Sequence, residues 1–587
     1  MATRASKVRQ IGDGPRLWWL CVSLVALLLT TSSIIANERP NVLFISLDDL
    51  NDWIEPMGGH PQAKTPNLDR LAASGVFFDN AHCPAPSCNP SRTAIFTGLS
   101  PNRSGLYTNG QKMREVLPDA VLIPKHFSKN GYWAGGSGKM LHYFIDARSW
   151  EEYYPKKETE NPFPPHIPWG ERPKSIPRGG PWQYVETDWH AFDVSDDAFG
   201  GDSKVADWVG EKLMNPPEGE PFFLACGIYR PHEPWFVPKK YFDMFPVDDV
   251  QLPPGYKEDD LDDLPPSGKR AGPNRYFAHI RAHGQWKAAV QAYLASIAYA
   301  DAMLGRVLDA LDESPRRDNT IVVLWSDHGW HLGEKQHWQK FTLWRASTRV
   351  PLIIRVPEGA PGLPEGTREG ERSSRPVNLV SLYPTLIELC GLPLKSDNSG
   401  PSLVPLLRNP QAEWNHVSVT YGGRVGSIGL SDQEWRYIRY ENGDEELYQI
   451  SEDPFEWDNW AANPEYSNRL SELRSKAPTE FATLIPPKER SLPKLPWNPT
   501  AERDAPASKP DGGTFDVVFF NESKGTVRLY WIDEGGSSVA YGEIKAGQRK
   551  RQKTRPGSVW MISDPMDQPL GYFLVDDRSA RAMIPSK

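Results

Sequence analysis

Apolar residues in this chain fall into short unbroken runs, separated by stretches with helical spacing. Pro40-Asn-Val-Leu-Phe-Ile-Ser-Leu47 has strand length, shows no polar alternation and stops at Asp48-Asp49. Such a run is apolar on both faces, which predicts a buried parallel strand. Residues 222–229 repeat the pattern and close on Arg230-Pro231. Thr320-Ile-Val-Val-Leu-Trp-Ser326 closes on Asp327-His328-Gly329, and Val350-Pro-Leu-Ile-Ile-Arg355 is a fourth run. Between them, Val290, Leu294, Ile297, Ala300, Leu304, Val307 and Leu311 recur at steps of three and four. That spacing gives a long helix one apolar face. A second helix is expected over 379–389, and a short one after Thr65-Pro66, with Thr65 as N-cap and Pro66 in the first turn. Strands alternating with helices predict an α/β domain with a mostly parallel sheet and right-handed crossovers.

After Gly391-Leu-Pro393 the texture changes. Residues 435–440 and 446–450 flank Asn442-Gly443, the signature of a hairpin in a smaller antiparallel sheet. Residues 486–513, rich in Pro, Lys, Ala and Ser, read as a linker. Residues 514–587 are short alternating strands broken by Gly and Pro, an all-β module. A chain of 587 residues exceeds one ordinary core. The expected division is a signal peptide at 1–36, a catalytic domain at 37–395, its C-terminal subdomain at 396–485, the linker, and the module. The signal rests on Arg4, Lys7, Arg9 and Arg16 ahead of an apolar run at 17–29, with cleavage near Ala36. An uncleaved anchor is the other reading of that run. Either way the protein is expected to be exported, to a periplasm or the extracellular space.

The net charge of −9, with no long Lys/Arg block, leaves no electrostatic footprint for nucleic acid or an anionic membrane. An anionic substrate would need a local basic pocket. Five cysteines, Cys21, Cys83, Cys88, Cys226 and Cys390, are too few for a disulfide framework, and no CxxC pair suggests zinc. A Cys83–Cys226 or Cys83–Cys390 bridge stays open.

Asp48-Asp49 and Asp327-His328 both end buried strands, where ligands sit in an open α/β sheet. Neighbouring strand residues face opposite ways, so two adjacent aspartates share a site only if the strand has ended. Three gathered carboxylates need a cation, and oxygen-rich ligation favours calcium or magnesium over zinc. Cys88 opens the segment Cys-Asn-Pro-Ser-Arg92-Thr-Ala-Ile-Phe-Thr-Gly98, where Pro90 and the apolar period predict a helix starting just after it. A helix N-terminus favours anions, and Arg92 adds a positive group.

Cys88-x-Pro-Ser-Arg92 followed by Thr97-Gly98 resembles the signature of type I sulfatases, whose cysteine is oxidised to formylglycine. The resemblance runs over about 40–460. Lys139-Met-Leu-His142, Arg230-Pro-His232, Asp327-His328, Gln339-Lys340-Phe341 and Asp453-Pro454 with Asn459 resemble the iduronate-2-sulfatase branch of the alkaline phosphatase superfamily. The resemblance implies an alkaline-phosphatase-like fold and hydrolysis of sulfate esters, on sulfated carbohydrate. It implies one calcium held by Asp48, Asp49, Asp327, His328 and the modified residue 88, and a formylglycine-generating maturation enzyme as partner. Hydrated formylglycine is a geminal diol: one hydroxyl attacks sulfur, and the second expels sulfate as the aldehyde re-forms. By the same resemblance Arg92 holds the modified residue, and Lys139 and Lys340 bind sulfate oxygens. His232 protonates the leaving oxygen, and His142 deprotonates the diol. A phosphomonoester or phosphonate hydrolase on the same fold and a silent glycan-binding protein are the competing readings. His331 and His337, near the Asp327 strand, fit a pocket wall or a solvated loop equally well.

Phe515-Asp-Val-Val-Phe-Phe-Asn521-Glu-Ser523, the strand through Trp531, and Gly557-Ser-Val-Trp560 resemble the von Hippel–Lindau β domain, a small β-sandwich. Trp531, Tyr541 and Trp560 match aromatic positions of that family's hydroxyproline pocket. Thr554 stands where the family has serine, and Ser558 replaces its histidine, which counts against hydroxyproline binding. A plain accessory β-sandwich is the default reading, and a glycan or a protein partner for it stays open.

Overall fold

The computed structural model describes residues 1–2, 39–142, 144–156, 175–176, 187–482, 492–501, 504–510 and 513–585. The segment read as a signal peptide, and Cys21 within it, lie outside the described residues apart from 1–2. No helix among the described residues is long and apolar enough to cross a membrane.

Eight strands form the central sheet: β1 (Asn41–Asp48), β2 (Val76–Phe78), β3 (Trp133–Gly138), β4 (Glu152–Tyr154), β5 (Phe222–Pro231), β6 (Thr320–Ser326), β7 (Leu352–Arg355) and β8 (Glu371–Ser373). Their spatial order is β8-β2-β7-β6-β1-β5-β3-β4. β6, β1, β5, β3 and β4 run parallel, and β7 alone is antiparallel to its neighbours. β1 lies in the centre, wholly buried, as its continuous apolar run requires. Its alternate residues feed two cores. Leu43, Ile45 and Leu47 pack in one, and Val42 and Phe44 in the other.

The helices that matter here are α1 (Pro66–Ala72), α2 (Cys88–Thr97), α3 (Asp202–Met214), α4 (Trp286–Glu313) and α5 (Leu382–Leu389). α3 and α4 fill the first core, and all seven periodic residues of α4 are buried. α2 and α5 fill the second through Ile95, Phe96, Leu382 and Leu386. Thr65 precedes α1 without capping it. Its hydroxyl accepts from the Glu55 N–H, while the N–H groups of Asn67 and Leu68 donate to Asp301 on α4. The cap is therefore tertiary.

β9 (Ser418–Tyr421), β10 (Ile428–Ser431), β11 (Trp435–Arg439) and β12 (Glu445–Gln449) make an antiparallel sheet, with β11 and β12 paired around Asn442-Gly443 as expected. Arg436 donates to the Leu343 carbonyl at 2.6 Å, and the Trp344 indole N–H donates to Glu446 at 2.8 Å. These bonds tie the subdomain to the chain just after Lys340.

The C-terminal module contains β13 (Phe515–Asn521), β14 (Val527–Ile532), β15 (Ser538–Ile544), β16 (Arg549–Thr554), β17 (Val559–Ser563), β18 (Pro569–Leu574) and β19 (Ala580–Ile584). They form two sheets over a core that includes Val517, Phe519, Leu529, Trp560 and Phe573. Part of the stretch read as a linker packs on this module. Leu495 enters its core, Trp497 meets Phe573 edge-to-face at 5.1 Å, and Asn498–Pro499 pairs with β18. Its few apolar residues are the ones that dock, which composition averages away. The Trp560 indole N–H donates to Thr554 at 2.8 Å and its ring meets Tyr541 at 4.8 Å. That donor of the aromatic cluster is already used within the module.

Candidate active site

The site forms at the carboxyl ends of β1, β3 and β6, facing the start of α2. Beyond Leu47 the pairing of β1 with β5 shifts register, and Asp49 takes a left-handed conformation with φ 62°. Aspartate tolerates that region better than most residues. The turn lets Asp48 and Asp49 face one centre although they are adjacent. Asp327 and His328 follow β6 directly, and the Asp49 N–H donates to Asp327 at 3.1 Å. Lys139 follows β3, held against β5 by its own N–H bond to the Gly227 carbonyl. A Cβ on Gly227 would lie 2.5 Å from the Lys139 backbone, so the approach depends on that glycine.

Cys88 is the first residue of α2 and is wholly buried. Its Sγ lies 3.2 Å from Lys340 Nζ, 3.3 Å from His328 Nε2 and 3.7 Å from Lys139 Nζ. Burial opposes a charge there, but Lys139, Lys340 and His328 outweigh it and hold the thiol well below the ordinary thiol range. Burial pushes His142 down to about 4 against its bond to Cys88, so at neutral pH its ring is uncharged and able to accept a proton. His232 Nδ1–H donates to the Glu233 carbonyl at 2.6 Å, and its Nε2 faces Asp49 at 3.6 Å. Lys340 also pairs with Asp49 at 2.8 Å, over the Trp330 ring. Lys139 pairs with Asp48, over the Tyr229 ring.

Arg92 spends its donors on the frame around residue 88. Nε donates to Asp327 at 2.8 Å, Nη2 to Asp48 at 2.9 Å, and Nη1 to the Lys139 carbonyl at 2.6 Å. It therefore positions two carboxylates and the lysine-bearing turn together. Removing one partner of such a buried pair typically costs ~3–5 kcal/mol, because the other charge stays uncompensated. Arg92→Met is accordingly expected to destabilise the fold by about that much. Denaturant unfolding checks this, and an unchanged midpoint would show that the guanidinium adds no net stability.

The same groups fit a cation. Asp49, Cys88, Asp327 and His328 bring one donor atom each within 4.8 Å of one another, as do Asp48, Asp49 and His232. Asp49 Oδ2 is buried and accepts no hydrogen bond. Burial raises the pKa of Asp49 and of Asp327 against the pull of their cationic neighbours. His328 Nδ1–H donates to the Gly329 carbonyl, which leaves Nε2 aimed into the cluster. Burial resists a proton there, but Asp327 raises His328 all the same, and that anionic field attracts any cation. Three gathered carboxylates, one with an orphaned oxygen, suit a hard divalent ion.

All ten residues singled out from sequence thus meet in one place. His331 and His337 do not join them. His331 is buried and bonded to Thr342 at 2.7 Å, and His337 Nε2 bonds the Lys340 carbonyl at 3.0 Å, bracing that lysine's backbone. Neither a pocket wall nor a solvated loop describes them. Cys83, Cys226 and Cys390 are free buried thiols, so neither conceived bridge forms. A cavity of about 600 Å³ opens above Cys88, His142, His232 and Lys340, within the ~300–1,000 Å³ usual for small-molecule sites. Sequence reasoning missed Tyr229, Trp330 and the cavity's outer walls, including Arg275, Tyr276 and several residues of the C-terminal module. Only the aromatic content near the motifs hinted at the first two.

Comparison with known proteins decides what this geometry belongs to. The family model described as sulfatase matches residues 40–392. The chain belongs to the sulfatase family. It is a sulfuric ester hydrolase. A model of the C-terminal part of N-sulphoglucosamine sulphohydrolase matches 333–480, and a VHL beta domain model matches 510–572. This sulfatase is 41% identical over 459 residues to a sulfatase of Formosa agariphila, covering 76% of this chain and 88% of that one. It is 30% identical over 449 residues to iduronate 2-sulfatase of Mus musculus, covering 70% and 79%. Among solved structures, a protein in complex with D-glucosamine-2-N,6-O-disulfate superposes with a TM-score of 0.57 at 22% identity, covering 75% of this chain and 96% of that one. That likeness confirms the alkaline-phosphatase-like fold.

Proposed function

We propose that this sulfatase is an exported, calcium-dependent enzyme that removes sulfate esters from sulfated carbohydrate, with residue 88 converted from cysteine to formylglycine. The observation that carries the reading is Cys88 itself, buried at the first turn of α2 between Lys139, Lys340 and His328, against Asp48, Asp49 and Asp327. A buried thiol in so cationic a setting is costly for a structural cysteine and apt for a reacting group. The sulfated sugars named for the relatives above point the same way for substrate.

Formylglycine, once hydrated, supplies a nucleophilic hydroxyl and a second hydroxyl through which sulfate departs. Asp48, Asp49, Asp327, His328 and residue 88 would hold calcium, which supplies polarisation of the sulfate. The remaining chemistry belongs to this chain. Lys139 and Lys340, already beside Sγ, bind sulfate oxygens as point charges and orient the ester in line. Neutral His142 takes the proton from the hydrate. His232, fixed by its Nδ1–H bond, presents Nε2 to protonate the leaving sugar oxygen. Arg92 keeps the carboxylates and the Lys139 turn in register. The expected domains are a signal at 1–36, a catalytic domain at 37–395, its subdomain at 396–485, and the β module after the 486–513 stretch.

The direct test compares sulfate and phosphate monoesters of one phenol, with and without a calcium chelator. Sulfate turnover that chelation abolishes and calcium restores is expected. Preference for phosphate would favour a phosphomonoesterase, and absence of any turnover by matured protein a silent glycan binder.

A further inference from the structure

The cavity above Cys88 is built by two parts of the chain. Its floor is the sulfatase site, and much of its outer wall belongs to the C-terminal module: Phe515, Lys553, Arg555, Arg578 and Ser579. Among the described residues that line this cavity, seven are lysine or arginine and one, Asp577, is a carboxylate. Only Lys340 among the seven touches Cys88.

β16 explains how the module delivers its share. Side chains alternate along a strand, so Arg549, Arg551 and Lys553 share one exposed face at about 6.7 Å intervals. The row runs toward Arg555 at the cavity, and among the described residues β16 edges its sheet, paired with β13. Two acids temper the row: Asp516 pairs with Arg551 at 3.3 Å, and Asp577 with Arg578 at 2.7 Å. Lys553, exposed on β16, lines the cavity together with the largely buried Arg555 and with Arg275 of the sulfatase part. Phe341, 56% exposed, Tyr276 and Phe515 add apolar faces beside these cations. Cations interleaved with aromatic faces suit a sugar ring that carries an anionic group.

We infer that the von Hippel–Lindau-like module is the outer half of the substrate site, where Lys553 binds a second anionic group on the sugar next to the one that loses sulfate. This deepens, and rests on, the carbohydrate sulfatase reading. The ligand class is an acidic oligosaccharide whose neighbouring unit bears a carboxylate or a sulfate.

The test uses full-length matured enzyme and three substrates: an aryl sulfate, a disaccharide with one scissile sulfate and one neighbouring carboxylate, and its analogue with a neighbouring sulfate. Lys553→Glu, at an exposed position, is expected to lower the kcat/KM ratio of disaccharide to aryl sulfate about tenfold, through KM. Whichever disaccharide shows the larger drop identifies the anion. Lys545→Glu, an equal charge change in a turn away from the cavity, should leave the ratio where it was. In parallel, calorimetric binding of the unsulfated carboxylate disaccharide to the Cys88→Ala protein should weaken about tenfold with Lys553→Glu. An unchanged ratio with unchanged binding, or an equal effect of Lys545→Glu, overturns the inference while the sulfatase reading stands. Lack of aryl sulfate turnover in the unsubstituted enzyme would instead strike that reading, and the binding experiment would still judge the module.

Discussion

Cys88→Ala is expected to reduce aryl sulfate turnover by about 10⁴-fold or more, the scale on which enzymes respond to loss of their nucleophile. The side chain sits among Lys139, Lys340 and His328, where an anionic ester would be drawn. Lys139 and Lys340 would still bind the sulfate, so KM should change much less than kcat. Mass spectrometry of the residue-88 peptide from the native host supplies the companion measurement: an aldehyde in place of the thiol. Full activity from protein that retains an unmodified cysteine would sink the nucleophile assignment.

Asp49→Asn is expected to cost about 10³-fold in kcat/KM, equivalent to roughly 4 kcal/mol of lost transition-state stabilisation. Asparagine is the informative replacement because it tolerates the φ of 62° that any larger change would strain. The substitution removes the carboxylate that meets Lys340, His232 and His328 at once. Elemental analysis gives the second readout. Bound calcium should fall from about one ion per chain to a small fraction of that. A variant that keeps its full calcium would exclude Asp49 from the ligand set.

The central strands were legible because burial on both faces leaves continuous apolar runs, as in β1 and β6. β3 was not, because it reads Trp-Ala-Gly-Gly-Ser-Gly. Its glycines are there for space: a Cβ on Gly136 would meet the Tyr153 ring at 2.6 Å. With that strand hidden, the placement of Lys139 and His142 rested on family resemblance alone. The aspartates were legible as strand ends, but the left-handed turn that lets both serve one site was not. Thr65 had the composition of a cap, yet Asp301, over 200 residues away, does the capping. The outer wall of the cavity was invisible for a different reason. Alternating basic residues on β16 look like an ordinary solvated edge until the fold brings Lys553 to the cavity that Cys88 lines.

Burial of Cys88 also bears on when it can be altered. In the folded protein its side chain is buried at the base of the cavity, packed against His328 and Lys340, which lie 240 and 252 residues further along. Conversion to formylglycine, as proposed, would therefore require the modifying enzyme to reach the thiol before those partners arrive. At about 5–20 residues per second of synthesis, the nascent chain offers it an opening of roughly 12–50 s, unless a chaperone or the export machinery keeps the polypeptide loose for longer.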